Sequence, residues 1–247
     1  MADLRADTPE QAVRILTLAR PGKRNALSRR LIASLRDHLR EAEAEGVRAL
    51  VITGEGATFS AGADFADLEG DASDEAFDAA MSELTAALRN SRIASFAAID
   101  GPCVGAGLDL ALACDFRVAG PDAGFSLPAV KMGILYNPRR LAQILPMLSH
   151  AAAVRLLLLA ERLDRDEALC GGLATHRAAE GETLATAMAL AGRAAALPPL
   201  AQAAAKGFVT AFHAGDFDAA DWQARRMELL ASDERAEALR KAREPKA

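Results

Sequence analysis

The chain is poor in the side chains that most often hold a metal or a cofactor. Its 247 residues include three cysteines, four histidines, one tyrosine and one tryptophan. His38, His150, His176 and His213 fall in helical or peripheral segments without metal-ligand spacing, so no metal site is expected. Cys103, Cys114 and Cys170 are odd in number and widely spaced. They read as reduced, buried thiols rather than as a disulfide framework. Cys103 lies near a turn, but no histidine is close in sequence to activate it. Long apolar runs are missing too. The longest, Ala151 to Ala160, is interrupted by Arg155 and falls far short of a membrane span. The first residues, Met1 to Asp7, carry acids and no apolar stretch, so a signal peptide is not expected and a cytoplasmic location is. Basic charge is scarce: 29 Lys and Arg against 34 Asp and Glu give a net charge of −5, which argues against a nucleic-acid partner. Phosphate-loop and nucleophile-elbow motifs are absent. Gly105-x-Gly107 lacks the third glycine of a dinucleotide fingerprint, because Leu110 stands in its place.

Apolar periodicity is abundant, with hydrophobic residues at 51% of the chain. That suffices for one large domain with a substantial core. Ala12 to Leu18, Ala49 to Thr53 and Ile93 to Ile99 read as strands, with shorter ones at Phe116 to Ala119, Gly124 to Ser126 and Leu173 to His176. Helices are expected from Ser28 to Glu45, Asp74 to Asn90 and Gly107 to Cys114. Beyond Pro138 the pattern turns helical: Arg139 to Leu148, Ala151 to Ala160, Arg165 to Leu169, and Gly181 to Leu197. Pro198-Pro199 then separates Leu200 to His213, Asp216 to Leu230 and Asp233 to Arg243. This order predicts an α/β core over 1–197 and a helical C-terminal region over 198–247.

Two glycine-rich turns carry the chemical information. They are Phe59-Ser60-Ala61-Gly62-Ala63-Asp64 and Gly105-Ala106-Gly107-Leu108-Asp109, each following a strand-like run. Such turns can aim free backbone N–H groups at one point and so stabilise an oxyanion, which points to chemistry on a carbonyl or thioester. With Leu18-Ala-Arg-Pro-Gly-Lys-Arg-Asn-Ala-Leu27 and Asp100 to Asp115, and more loosely Ser232 to Arg243, these segments resemble the crotonase superfamily, the enoyl-CoA hydratase/isomerase family. The resemblance implies a spiral of strand-strand-helix repeats with a C-terminal α-helical trimerisation region, assembled as a homotrimer or a dimer of trimers. It implies an acyl-CoA substrate, with coenzyme A entering as part of that substrate, no permanently bound cofactor, and neither nucleic acid nor membrane as a partner. On the matching positions, the amides of Ala63 and Ala106 would form the oxyanion hole. Lys23 and Arg24 would approach the phosphates of coenzyme A, although such a basic pair is also compatible with a solvated turn. Ala26, Ala61, Asp64 and Phe65 would line the adenine and pantetheine path. Gly105, Pro128, Ala129 and Ile134 would line the rest. Asp64 also reads as a turn-shaping residue.

The acid/base half departs from the family pattern. Hydratases of the family place one glutamate where this chain has Asp109 and another where it has Ala129, after Pro128. Adding water across a double bond needs one group to deprotonate water and one to deliver a proton. Alanine does neither, so efficient two-carboxylate hydration is not expected. Asp109 is compatible with a lone acid/base or with a helix N-terminal acid stabilised by the dipole. Tyr136, in Gly133-Ile-Leu-Tyr-Asn137, resembles the tyrosine of the superfamily's methylmalonyl-CoA decarboxylases, where a phenol orients a departing carboxylate; it also fits a core tyrosine with its hydroxyl satisfied at a rim. Three readings result: a hydratase/isomerase-class enzyme stabilising a thioester enolate, a decarboxylase of malonyl-type CoA esters, and an acyl-CoA-binding protein without turnover.

Overall fold

In the computed structural model, residues 3–10 and 12–244 are described. The first sheet has six strands: β1 (Leu4–Glu10), β2 (Val13–Leu18), β3 (Ala49–Gly54), β4 (Ala94–Ile99), β6 (Phe116–Ala119) and β9 (His176–Arg177), in the order β1-β2-β3-β4-β6-β9. β1 runs antiparallel to β2, and every later pair is parallel. The second sheet orders β5 (Pro102–Val104), β7 (Gly124–Ser126) and β8 (Leu163–Asp164) as β5-β7-β8. Parallel bridges Ser60↔Cys103 and Leu27↔Ala63 extend this second row through the two turns. Each pass of the chain therefore visits the first sheet, turns into the second row, and returns through a helix. The result is an α/β spiral of strand-strand-helix passes.

Parallel strands covered on both faces need apolar residues on both. Leu16, Leu18, Leu50, Ile52, Ala97 and Ile99 join the large core beneath α1 (Arg29–Ala44), α2 (Glu75–Asn90) and α3 (Ala106–Ala113). Their strand neighbours Val13, Val51, Phe96, Ala98 and Val118 face α7 (Thr183–Ala195), whose Ala187, Ala191 and Ala194 permit close approach. Ser28 caps α1 by accepting the Leu31 amide, and Leu31, Ile32, Leu35 and Leu39 form its buried stripe.

The second half carries α4 (Pro138–Ile144), α5 (His150–Leu158) and α6 (Arg165–Gly171), then α8 (Pro199–Ala214), α9 (Ala219–Leu230) and α10 (Asp233–Arg243) after α7. The helix expected over Arg139 to Leu148 is shorter: α4 stops at Ile144, and Leu145–Met147 forms a single 3₁₀ turn. Pro146 has no N–H to continue the ladder. The late strand lies at His176–Arg177 rather than over Leu173 to His176. Cys170 is exposed, unlike Cys103 and Cys114, which corrects the reading of three buried thiols. Its α-helix is short, and only Ala168 and Gly171 of it are buried. Lys206 ties α8 to the core through the carbonyls of Leu88 and Ile93 and an ion pair with Asp115 at 2.8 Å. No single described helix is long and apolar enough to cross a membrane; α7 and α8 pass that test only as a pair, and the chain bends by 113° between them.

Candidate active site

Three loops meet at the predicted site, and buried polar side chains stitch them together. Asn25, fully buried, accepts the Arg20 amide at 3.0 Å and donates to the carbonyls of Glu55 and Thr58 at 3.0 and 2.7 Å. Ser60 donates to the Asn25 carbonyl at 2.8 Å and accepts the Gly62 amide at 3.2 Å. The Ala61 amide donates to the Arg24 carbonyl at 2.9 Å. Across the other side, the Ser60 amide donates to Pro102, Val104 donates to Ser60, and Gly105 donates to Ser126. The loops therefore form one unit before any ligand is considered.

Glycine sets how closely the two turns approach. Gly62 has φ +98 and Gly105 φ +55, both in the region that side chains disfavour. A Cβ on Gly62 would lie 2.9 Å from the Val104 oxygen and 3.5 Å from the Ala106 nitrogen. A Cβ on Gly107 would lie 2.6 Å from the Ser60 Cβ. The Gly105-x-Gly107 spacing thus serves turn-to-turn packing: one glycine supplies the conformation, the other the clearance.

This packing leaves two amides without an acceptor among the described residues. The Gly62 carbonyl accepts from Leu27 and the Asp64 amide donates to the Leu27 carbonyl, which turns the intervening Ala63 N–H away from Leu27. Ala106 is the first residue of α3, where an N–H has no intrahelical acceptor. Neither amide donates to an acceptor among the described residues. All eight residues of α3 are buried, so the positive end of its dipole works in a medium of low polarity.

Asp64 sits where the first loop meets the second. It is buried, caps the 3₁₀ turn Phe65–Asp67 through the Ala66 amide, and pairs with Arg20 at 2.7 Å and Lys23 at 3.2 Å. Burial alone would raise its carboxyl, but the bonds from Arg20, Ala66 and Lys23 outweigh it and hold the group below the ordinary value. Lys23 and Arg24 lie at the surface, Ala26 is buried and Ala61 half-buried, while Phe65 is 69% exposed. Pro128 and Ala129 open a 3₁₀ turn, Pro128–Met132, and are half-buried. Ile134 is 60% exposed beside exposed Leu135. Between α3, α4 and α5 an apolar void lined by Leu108, Leu112, Leu127, Leu141, Ile144 and Leu156 measures about 10 Å³. That is room for no more than one water, so the void does not accept an acyl tail in this conformation.

Sequence reasoning missed Arg140. It is buried in the first turn of α4 and grips Asp109 from the side: Nε donates at 3.0 Å to both carboxylate oxygens, and Nη2 donates to Oδ1. The Tyr136 hydroxyl donates to Asp109 Oδ2 at 2.9 Å. Asp109 is fully buried under these three donors. Burial, the Asp109 charge and this hydrogen bond hold the Tyr136 phenol well above its usual range. One signal for Arg140 was present in the sequence. Two arginines follow Asn137-Pro138 at a helix start, where the dipole opposes positive charge, so one of them needed an anion. Arg89 of α2 lies next to this network: it and Arg140 both donate to Gln143, and burial together with Arg140 lowers it to about 10. Among the described residues, no group of three His, Cys, Asp or Glu side chains gathers to hold a metal.

The strand-strand-helix spiral and the comparisons with known proteins place the chain in the crotonase superfamily. The model of one family, enoyl-CoA hydratase/isomerase, matches residues 8–239. The chain is 39% identical over 194 residues to a probable enoyl-CoA hydratase, echA6, of Mycobacterium tuberculosis, covering 78% of this chain and 77% of that one. It is 33% identical over 198 residues to the 2,3-dehydroadipyl-CoA hydratase of Escherichia coli, covering 80% and 78%. Among solved structures, an enoyl-CoA hydratase/carnithine racemase from Magnetospirillum magneticum superposes with a TM-score of 0.90 at 29% identity, covering 100% of this chain and 95% of that one. The protein belongs to the enoyl-CoA hydratase/isomerase family of enzymes.

Proposed function

We propose that this protein binds an acyl-CoA thioester and polarises its carbonyl between the amides of Ala63 and Ala106, stabilising the enolate. The observation that carries this is the pair of amides without acceptors on two turns packed backbone to backbone. Loss of one comparable donor costs about 3–4 kcal/mol of transition-state stabilisation. Lys23 and Arg24 would meet the phosphates of coenzyme A. Ala26, Ala61, Asp64 and Phe65 would line its path, and Gly105, Pro128, Ala129 and Ile134 the acyl end. Asp64 acts there chiefly through its ion pairs, which hold the Arg20-to-Lys23 segment against the first glycine turn. The exposed apolar face of α8 and its successor segment, with Val209, Phe212 and Phe217, supports assembly as a trimer or a dimer of trimers.

Two-carboxylate hydration is not part of this proposal. Ala129 brings no carboxyl group, and Asp109 is already bonded to Arg140 and Tyr136. The same ion pair favours a second reading, acyl-CoA binding without turnover. A phenol committed to Asp109 would have to leave it to orient a departing carboxylate, which weakens the decarboxylase reading. Crotonyl-CoA, methylmalonyl-CoA and saturated acyl-CoA esters separate the three. Binding of acyl-CoA more tightly than of free coenzyme A, with slow loss of the conjugated absorbance of crotonyl-CoA, is expected. Rapid hydration would refute this account of the acid/base half, as would CO₂ release from methylmalonyl-CoA that Tyr136→Phe abolishes. Equal affinity for acyl-CoA and free coenzyme A would refute the carbonyl clamp.

A further inference from the structure

Arg140 occupies a place that a surface helix start does not require. It is 3% exposed, it follows the proline that opens α4, and its charge opposes the helix dipole there. Its guanidinium spans the Asp109 carboxylate side-on, while the Tyr136 hydroxyl takes a remaining lone pair of Oδ2. The other charged groups close to this carboxylate come from α2: Asp78, whose carboxyl is raised by burial and by Glu75 and Asp109, and Arg89. A carboxylate that is to take a proton from a ligand needs an open lone pair facing that ligand. It must also lose its charge, and here that would leave the buried guanidinium without its bidentate anion.

We propose that Arg140 is a positioning residue that decides what Asp109 does: it keeps this carboxylate as a fixed anion that orients the Tyr136 hydroxyl, and so withholds it from proton transfer with the acyl group. The inference rests on the acyl-CoA reading above only for the identity of the ligand. Removing Arg140 while keeping Asp109 leaves a buried carboxylate beside the site with no cation bonded to it. Burial without a bonded cation makes the ionised carboxylate costly and so a stronger base. The freed group can take a proton from the α-carbon of a bound thioester, the electron pair passing into the C–C bond as the carbonyl oxygen becomes the enolate. Return of a proton from the same carboxyl restores the ester.

Tyr136 is the only tyrosine in the chain, so 3-fluorotyrosine labelling gives one fluorine resonance that reports its hydrogen bond. In the wild-type protein that line is expected to hold its position from about pH 5 to about pH 8, because the Arg140 guanidinium fixes the carboxylate that accepts the Tyr136 hydroxyl. In Arg140→Met it moves through a single titration in that window, and in Arg140→Lys, which retains a cation, it stays flat. Exchange of the α-protons of butyryl-CoA in D₂O gives the second readout. Arg140→Met is expected to exchange at least about tenfold faster than wild type, and adding Asp109→Asn removes the gain. Arg140→Gln, which preserves one donor without charge, serves if the methionine variant does not fold. A titrating line in the wild-type protein, or a flat line in a folded neutral variant, overturns the proposal. Failure of every form to bind butyryl-CoA overturns the acyl-CoA reading instead and leaves the fluorine result standing.

Discussion

The contact between Gly107 and Ser60 makes the sharpest prediction. In Gly107→Ala, the new methyl would lie 2.6 Å from Ser60 Cβ and 2.8 Å from Ser60 Oγ. Carbon atoms in contact prefer about 3.5–4.0 Å, so the shortfall is about 1 Å. Rotating Ser60 does not relieve it, because the nearest atom is Cβ, whose position the backbone fixes. Oγ is also engaged by the Asn25 carbonyl and the Gly62 amide. The strain must therefore move the start of α3 away from the Ser60-to-Ala63 segment, and the two amides separate. Overpacking of this kind costs about 1–3 kcal/mol of stability. A misplacement of about 1 Å at a preorganised site can cost on the order of 10²-fold. Urea unfolding measures the first effect, and calorimetric affinity for butyryl-CoA relative to free coenzyme A measures the second. The ratio of the two affinities isolates the carbonyl contact, since coenzyme A has no thioester. The ratio should fall by at least about tenfold, and Ser60→Gly in the same chain, which removes the clashing Cβ, should recover part of it. Gly22→Ala, where a Cβ meets nothing within 4 Å, should change stability by less than about 0.5 kcal/mol. A Gly107→Ala protein that loses stability yet keeps the wild-type affinity ratio would show that the turns do not form the carbonyl site.

Asp109→Asn should destabilise the fold by about 3–5 kcal/mol in chemical denaturation, because it strands the Arg140 cation in the interior. Adding Arg140→Met should recover part of that loss, and a cost below about 1 kcal/mol for Asp109→Asn would argue that the pair is well solvated. A thiol reagent near about pH 8 should modify Cys170 rapidly in the folded protein, and Cys103 and Cys114 only after denaturant is added. Burial pushes the Cys103 thiol well up and the Cys114 thiol up to about 12. Asp64 gives a pH effect of defined sign: its folded carboxyl titrates below the ordinary value of 3.8, so its contribution is fully present above that value and is lost as pH falls through the lower folded one. The urea midpoint should therefore drop below about pH 3.8 less steeply in Asp64→Asn than in wild type; identical slopes would remove Asp64 from the acid transition.

Most of the architecture was legible because periodicity records burial directly. Ala49 to Thr53 and Ile93 to Ile99 read as apolar runs because helices cover both faces, Ala12 to Leu18 read by alternation, and Leu31, Leu35 and Leu39 declared the inner face of α1. β1 escaped notice for the same reason. It is an edge strand with exposed Arg5, Ala6, Asp7, Thr8 and Pro9, and its pairing with β2 leaves no apolar pattern. The packing of the two turns was legible through glycine, because conformation and clearance at Gly62, Gly105 and Gly107 admit little else. Arg140 was not singled out because its partner lies 31 residues away and no local rule joins them. Asn25 was visible only as one letter of a loop motif, although its carboxamide joins three segments of chain.

The two halves of the site rest on different supports, and that separates their fates. The amides of Ala63 and Ala106 are placed by backbone bonds among residues 20–27, 59–64 and 102–107, with Asn25, Ser60 and Asp64 as the polar fasteners. None of those bonds involves the side chain of Asp109, Tyr136 or Arg140. The carboxylate half is instead a side-chain arrangement between α3 and the start of α4. Under the proposal, a change of side chain on α4 switches proton transfer off or on while the Ala63 and Ala106 amides stay in place. On the proposed function, the two amides are then the fixed element of this chain and the pairing of Asp109 the variable one. It also accounts for a site that keeps both amide donors while its one remaining carboxylate faces an arginine.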